Sequence, residues 1–129
     1  MSGERGQALV EFALVLPVLL VLALAIGELS ELGVARLALT HAAAEAARTV
    51  ALTNDDRLAR ASVAAASAPL RPGAVDVSIE PPAEQRGTDP RGTLVLVRLR
   101  YVIAAPLAFI GLPGFVVRGE AARSMEWTP

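Results

Sequence analysis

A run of apolar residues long enough to cross a bilayer, with one carboxylate near its start, constrains this chain more than any other feature. From Ala8 to Gly27 the run is interrupted only by Glu11 and Pro17. Twenty residues at 1.5 Å each make about 30 Å of helix, one hydrocarbon core. A charge within such a segment costs about 2.5–3.5 kcal/mol at mid-bilayer, so Glu11 calls for a reason. Pro17 removes one backbone hydrogen bond, which membrane helices tolerate. Arg5 lies before the run and Glu28 and Glu31 after it. That asymmetry favours an N-terminus inside the cytoplasmic membrane and a C-terminal domain outside.

Three readings of this segment compete. A plain single-span anchor leaves Glu11 unexplained. A secretory signal peptide finds support in the small-residue triplet Ala23-Leu24-Ala25, but its leader is weak, because Glu4 offsets Arg5. A signal cut before the apolar run, which then stays with the mature protein, accounts for both Gly6 and Glu11.

The remainder is ordinary in composition and excludes several kinds of chemistry. There is no cysteine, so disulfides, thiol nucleophiles and thiolate metal sites are absent from the chain. One histidine, His41, does not make a histidine-based metal site. Net charge is −1, without a long basic run, and five aromatic residues are too few for a base-stacking platform. Nucleic acid is therefore not an expected partner. No Ser/His/Asp arrangement, phosphate-binding loop or carboxylate pair stands out, so the chain reads as non-enzymatic, without cofactor or metal. Asp55-Asp56 is better explained by helix capping than by catalysis.

Periodicity predicts an α+β fold. Glu28 to Leu52 holds no proline, and Leu29, Leu32, Arg36, Leu39, Ala43 and Ala46 follow a helical stripe. One helix from about Gln7 to about Leu52 results, on the order of 70 Å long. Its Ala-rich second half allows close approach by a sheet or another helix. Thr53-Asn54-Asp55-Asp56 breaks it, with Thr53 or Asn54 capping a second helix from about Asp55 to Ala68. Val75, Val77 and Ile79 alternate with polar residues, as do Val95, Val97, Leu99, Tyr101 and Ile103 within Thr93 to Ile103. Phe115, Val117, Ala121, Met125 and Trp127 share one face of a third strand. Pro81 to Gly92 reads as a polar loop and Pro106 to Gly114 as an apolar connection, folded onto the core or serving as a docking tip. Arg98 and Arg100 mark a solvated strand face. Three strands barely make a stable sheet alone, so an antiparallel sheet packed on the helix is expected.

These residues resemble the TadE-like family, pilin-like proteins of tight-adherence (Flp-type) pilus systems. The resemblance rests on Arg5-Gly6-Gln7-Ala8-Leu9-Val10-Glu11-Phe12-Ala13-Leu14-Val15-Leu16-Pro17, continuing through Gly27-Glu28. Ala42-Ala43-Ala44-Glu45-Ala46-Ala47-Arg48 and Ala121-Ala122-Arg123-Ser124-Met125-Glu126 are similar in pattern. His41 departs from it, standing where an amide or other polar residue is expected. The resemblance implies a pseudopilin or minor pilin cut by a prepilin peptidase between Gly6 and Gln7, with Glu11 and Phe12 completing the processing motif. The regions are then a leader at 1–6, a transmembrane helix at 7–27 and an extracytoplasmic pilin-like domain at 28–129. It also implies that Glu11 sets subunit register by pairing with the new amine of a neighbouring subunit. Other pilins, inner-membrane assembly proteins and membrane lipid are the implied partners. Two alternatives stay open: a non-polymerising anchored adaptor presenting its β-domain, and a secreted binding domain cut near Ala25.

Overall fold

In the computed structural model, which describes residues 2–104, 111 and 113–129, the chain divides into two compact units, Met1–Gly33 and Val34–Pro129. The elements are helix α1 (Ser2–Thr53), helix α2 (Asp56–Ala66), and strands β1 (Val75–Glu80), β2 (Leu94–Ile103) and β3 (Phe115–Ser124). Short 3-10 turns lie at Pro72–Ala74 and Ala83–Gln85. A long helix, a short helix and a three-stranded antiparallel sheet were expected, and they are present; the strands lie in the order β1-β2-β3. Among the sequence-predicted features, the apolar connection of Pro106 to Gly114 falls largely outside the described residues.

The first unit consists of helix α1 up to Gly33. Helix formation extends back through the leader to Ser2, across Gly3 and Gly6 and further than the apolar pattern requires, with Glu4 in the first turn suiting the positive end of the helix dipole. Pro17 sits inside the helix. α1 holds an 18-residue window of mean hydropathy 2.8, none of it buried. Leu9, Phe12, Leu14, Leu20, Leu24 and Ile26 are all exposed. An exposed apolar surface of this length fits a membrane span.

The second unit has its core where α1 meets the sheet. Ala35, Ala38, Leu39, Ala42, Ala43, Ala46, Ala47, Val50 and Ala51 are buried and recur every three or four residues, one stripe of a helix. The stripe differs from the expected one by a position: Arg36 is exposed and Ala35 is buried in its place. A guanidinium has no partner against an apolar sheet, so the helix turns the smaller residue inward. Alanines at most of the buried positions let the sheet come close. The approach is close at Gly119 of β3, where a Cβ would stand 2.7 Å from the Leu39 carbonyl carbon and 2.8 Å from Leu39 Cβ.

The sheet supplies the opposing face. Val95, Val97 and Leu99 of β2 are buried together with Val75 and Ile79 of β1 and Val117 of β3. The register is Val77↔Leu99, Ile79↔Val97, Leu99↔Gly119 and Tyr101↔Val117, so one face is apolar across all three strands. Beyond β3 the chain is tied to the end of α1: Glu126 and Trp127 N–H both donate to the Ala51 carbonyl, at 2.9 and 2.8 Å. These bonds satisfy one of the carbonyls that a helix C-terminus otherwise leaves without a partner.

The junction of the helices corrects the capping expected from the sequence. Asp55, not Thr53 or Asn54, is the N-cap of α2, and its carboxylate accepts from Arg57 and Leu58 N–H at 2.8 and 3.2 Å. Asn54 has φ +52°, the left-handed residue that closes α1. Thr53 Oγ1 accepts from Asp55 N–H at 3.2 Å, within the turn between the helices.

Candidate functional site

The residues that the sequence marks as a candidate processing motif all lie on α1 in the first unit. Gly6, Gln7, Glu11 and Phe12 are exposed helical residues. Gln7 and Glu11 are one helical turn apart, and Gln7 Nε2 donates to Glu11 Oε1 at 3.4 Å. This long contact at an exposed position restrains the carboxylate weakly. It shows that an N–H group on residue 7 reaches residue 11 along the same helix face. A Cβ at Gly6 would meet no atom within 4 Å, so folding does not require glycine there. Phe12, next to Glu11, is on the outer surface, 60 % exposed.

The remaining sequence-marked residues serve the fold or lie on its surface. Arg98 and Arg100 are on the outer face of the sheet, half exposed. Arg98 pairs with Glu80 at 2.8 Å and approaches Glu120 at 3.8 Å, and Arg100 lies 3.6 Å from Asp76. Such exposed pairs are worth about 0–1 kcal/mol each. His41 is exposed on α1, beside an open apolar groove that includes Val34, Leu37, Ala66 and Pro69. Among the described residues no three metal-ligating side chains come together.

One buried charge escaped the sequence reading. Arg86, inside the segment read as a polar loop, has a fully buried side chain. Its Nε donates to the Pro81 carbonyl at 2.9 Å and its Nη1 to Asn54 Oδ1 at 3.2 Å. Nη1 also lies 2.6 Å from Asp56 Oδ1, an ion pair whose angle departs from that of a hydrogen bond. Arg86 thus fastens the β1–β2 connection to the turn between the helices. Its partners are distant in sequence, and a lone Arg amid Gln85 and Gly87 has no local sign of burial. Asp56 gains a second task from it, beyond favouring the N-terminus of α2.

Another missed residue is Arg60, whose Nη1 donates to the Val77 carbonyl at 2.9 Å. Val77 belongs to β1, an edge strand, so α2 covers part of that edge.

No curated protein and no solved structure matches this chain. A family model, described as TadE-like protein, matches residues 6–48, from Gly6 to the Ala-rich stretch of α1, and over that segment the chain is similar to the family.

Proposed function

We propose that this chain is a pseudopilin or minor pilin of a tight-adherence pilus system, cut by a prepilin peptidase between Gly6 and Gln7. The single observation that carries the reading is the TadE-like match over residues 6–48, which begins at the glycine of the cut. The apolar surface of α1 supports retention of the mature chain in the cytoplasmic membrane, with the unit from Val34 onward outside. The absence of a packing role for Gly6 supports a role in recognition, where a residue without a side chain lets the leader enter a peptidase site at the membrane surface.

Cleavage gives Gln7 a positive amine one turn from Glu11. In assembly, Glu11 pairs with the amine of a neighbouring subunit. The pair sets register more than it adds stability, since removing either partner leaves a charge alone in apolar surroundings. The β-domain makes the chain a minor component, alongside a smaller major subunit. In this role the protein is a substrate of the peptidase and not itself an enzyme.

Intact mass and N-terminal sequence of the membrane-extracted protein from its host test this reading. A chain beginning at Gln7 agrees with it. A chain that retains the leader where the host peptidase is active overturns it in favour of an anchored adaptor, and a chain beginning near Gly27 makes it a secreted domain.

A further inference from the structure

A cut between Gly6 and Gln7 changes the chemistry of one nitrogen. In the intact chain the Gln7 nitrogen belongs to a planar amide, whose lone pair is shared with the carbonyl. After the cut it is a primary amine, and the residue that carries it is a glutamine. The amine then lies within reach of the carboxamide of its own side chain, and attack on Cδ closes a five-membered ring. An alanine, such as Ala8 next to it, has no such group.

The structure bears on this ring in three ways. Gln7 is exposed on α1, so a ring at that position displaces nothing. Within α1 the Gln7 N–H faces the carbonyl four residues back, that of Gly3, and removal of the leader takes this carbonyl away. Residue 7 then begins the helix, where backbone groups lack intrahelical partners. The side chain, for its part, must fold back on its own nitrogen before the ring can close. In the structure it is instead stretched along the helix, with Nε2 donating to Glu11 Oε1 at 3.4 Å, one turn away. That contact keeps the carboxamide off the nitrogen, and keeps it weakly, because it is long and exposed. Ala8, Leu9 and Val10 offer the carboxamide no polar side chain in its place.

We propose that Gln7 is a self-modification site: in mature chains that have not entered an assembly, its amine closes on its own carboxamide to give pyroglutamate. The step needs no co-reactant. The lone pair of the unprotonated amine attacks Cδ and forms the N–Cδ bond. The Cδ–Nε2 bond breaks, and Nε2 leaves as ammonia with the proton that the α-nitrogen gives up. The product is a neutral lactam that keeps one N–H and has lost the positive charge.

This inference rests on the proposed cut and adds a regulation to it. Pairing with a neighbour's Glu11 keeps the proton on the amine, and a protonated amine has no lone pair to attack with. Assembly thus preserves the group that assembly needs, whereas a chain left unassembled loses it. The amine is available for a limited time after cleavage. The chain's own Glu11 lengthens that time by holding the Gln7 side chain stretched.

The test uses the full chain expressed in its host. The N-terminal peptide is taken from the membrane fraction and from sheared pili, and its mass is read at once and after incubation of the solubilised protein. The expected result in the membrane fraction is a peptide that begins at Gln7 and is lighter by one ammonia, in a share that rises with time. Pili carry the intact glutamine. Pyroglutamyl aminopeptidase removes the ring from the lighter form and exposes Ala8, and Gln7→Ala shows no ammonia loss. Glu11→Ala speeds the loss about twofold, the effect of removing one weak contact between residues a turn apart, while Glu11→Gln keeps an acceptor there and stays near the wild-type rate. A peptide that begins at Gln7 and keeps its ammonia throughout, or carries a methyl group on its amine instead, overturns the proposal and leaves the cut standing. Equal shares of the ring in the two fractions overturn protection by assembly, and equal rates in wild type and Glu11→Ala overturn the part given to Glu11. A chain that still carries residues 1–6 overturns the cut and this inference together.

Discussion

A Cβ built on Gly6 meets nothing within 4 Å, whereas one built on Gly119 meets the backbone and Cβ of Leu39 below 3 Å. The two glycines therefore respond differently to substitution. Gly119→Ala forces β3 and α1 apart at the centre of the core. It is expected to cost about 1–3 kcal/mol, the usual range for overpacking, and to lower the melting temperature of the detergent-solubilised protein. Gly6→Val leaves the fold untouched, so circular dichroism and melting stay as they are. Its effect falls on processing: the chain isolated from the host is expected to retain residues 1–6, read by intact mass. A Gly6→Val chain cut normally would separate the glycine from recognition.

At the scale of elements, the two ion pairs of the β1–β2 connection make a contrast that burial decides. Arg86 is buried against Asp56, Asn54 and the Pro81 carbonyl. Arg86→Met leaves Asp56, still about a quarter exposed, without its cation and frees the connection from the helix junction. Breaking a buried pair costs about 3–5 kcal/mol, and the partial exposure of Asp56 places the loss toward the lower end, measurable by chemical denaturation. Asp89 and Arg91 pair at 2.7 Å on the surface. The hydrogen bond from the Arg91 side chain, with help from its backbone N–H and its charge, holds the Asp89 carboxyl below its ordinary 3.8. A lowered carboxyl stabilises the fold above that ordinary value and loses the contribution as pH falls through the lower, folded one. Because the group is exposed, solvent screens the contribution. Asp89→Asn is expected to leave the melting temperature at neutral pH unchanged, while carboxyl NMR places the wild-type midpoint below 3.8.

These elements also show what a sequence of this kind discloses. The strands were legible because one face of each is apolar: Val95, Val97 and Leu99 alternate with Arg98 and Arg100, and only one register buries the former. The long helix was legible because nothing interrupts it but Pro17 in an apolar setting. The caps were legible by type and misplaced by one or two residues, because Thr53, Asn54 and Asp55 are all capable and tertiary contacts choose among them. Arg86 was not legible, since its burial depends on partners 30 and more residues away. Of the candidate site, the similarity that begins at Gly6 was readable because it lies in local sequence, whatever the fold beyond it. The like-charge pair Arg100↔Arg118 was invisible, because it exists only once the register of β2 and β3 is known.

At the scale of the whole molecule, the proposed function has Glu11 couple an unfavourable position in the protomer to a favourable one in an assembly. In the single chain its only side-chain partner among the described residues is Gln7 at 3.4 Å, too long to offset the transfer of a charge toward the bilayer. Glu11→Ala removes that cost, so the variant protomer is held in the membrane at least as firmly as the wild type. Cleavage is expected to continue, because Gly6 and the start of the apolar run are intact. On the proposed function, what the variant lacks is the partner for the amine of a neighbouring subunit, and that amine would be left alone among apolar helices. Incorporation into sheared pili is expected to fall sharply while the mature protein accumulates in the membrane fraction, read by quantitative immunoblotting of the two fractions. Glu11→Gln discriminates further, since it keeps a hydrogen-bonding group of similar size and removes only the charge. If the amine needs the charge, the glutamine variant fails as the alanine variant does; if shape and hydrogen bonding suffice, it assembles. Normal incorporation of Glu11→Ala would mean that register is set elsewhere, and would return the chain to the reading of an anchored adaptor whose carboxylate is merely solvated at the headgroup boundary.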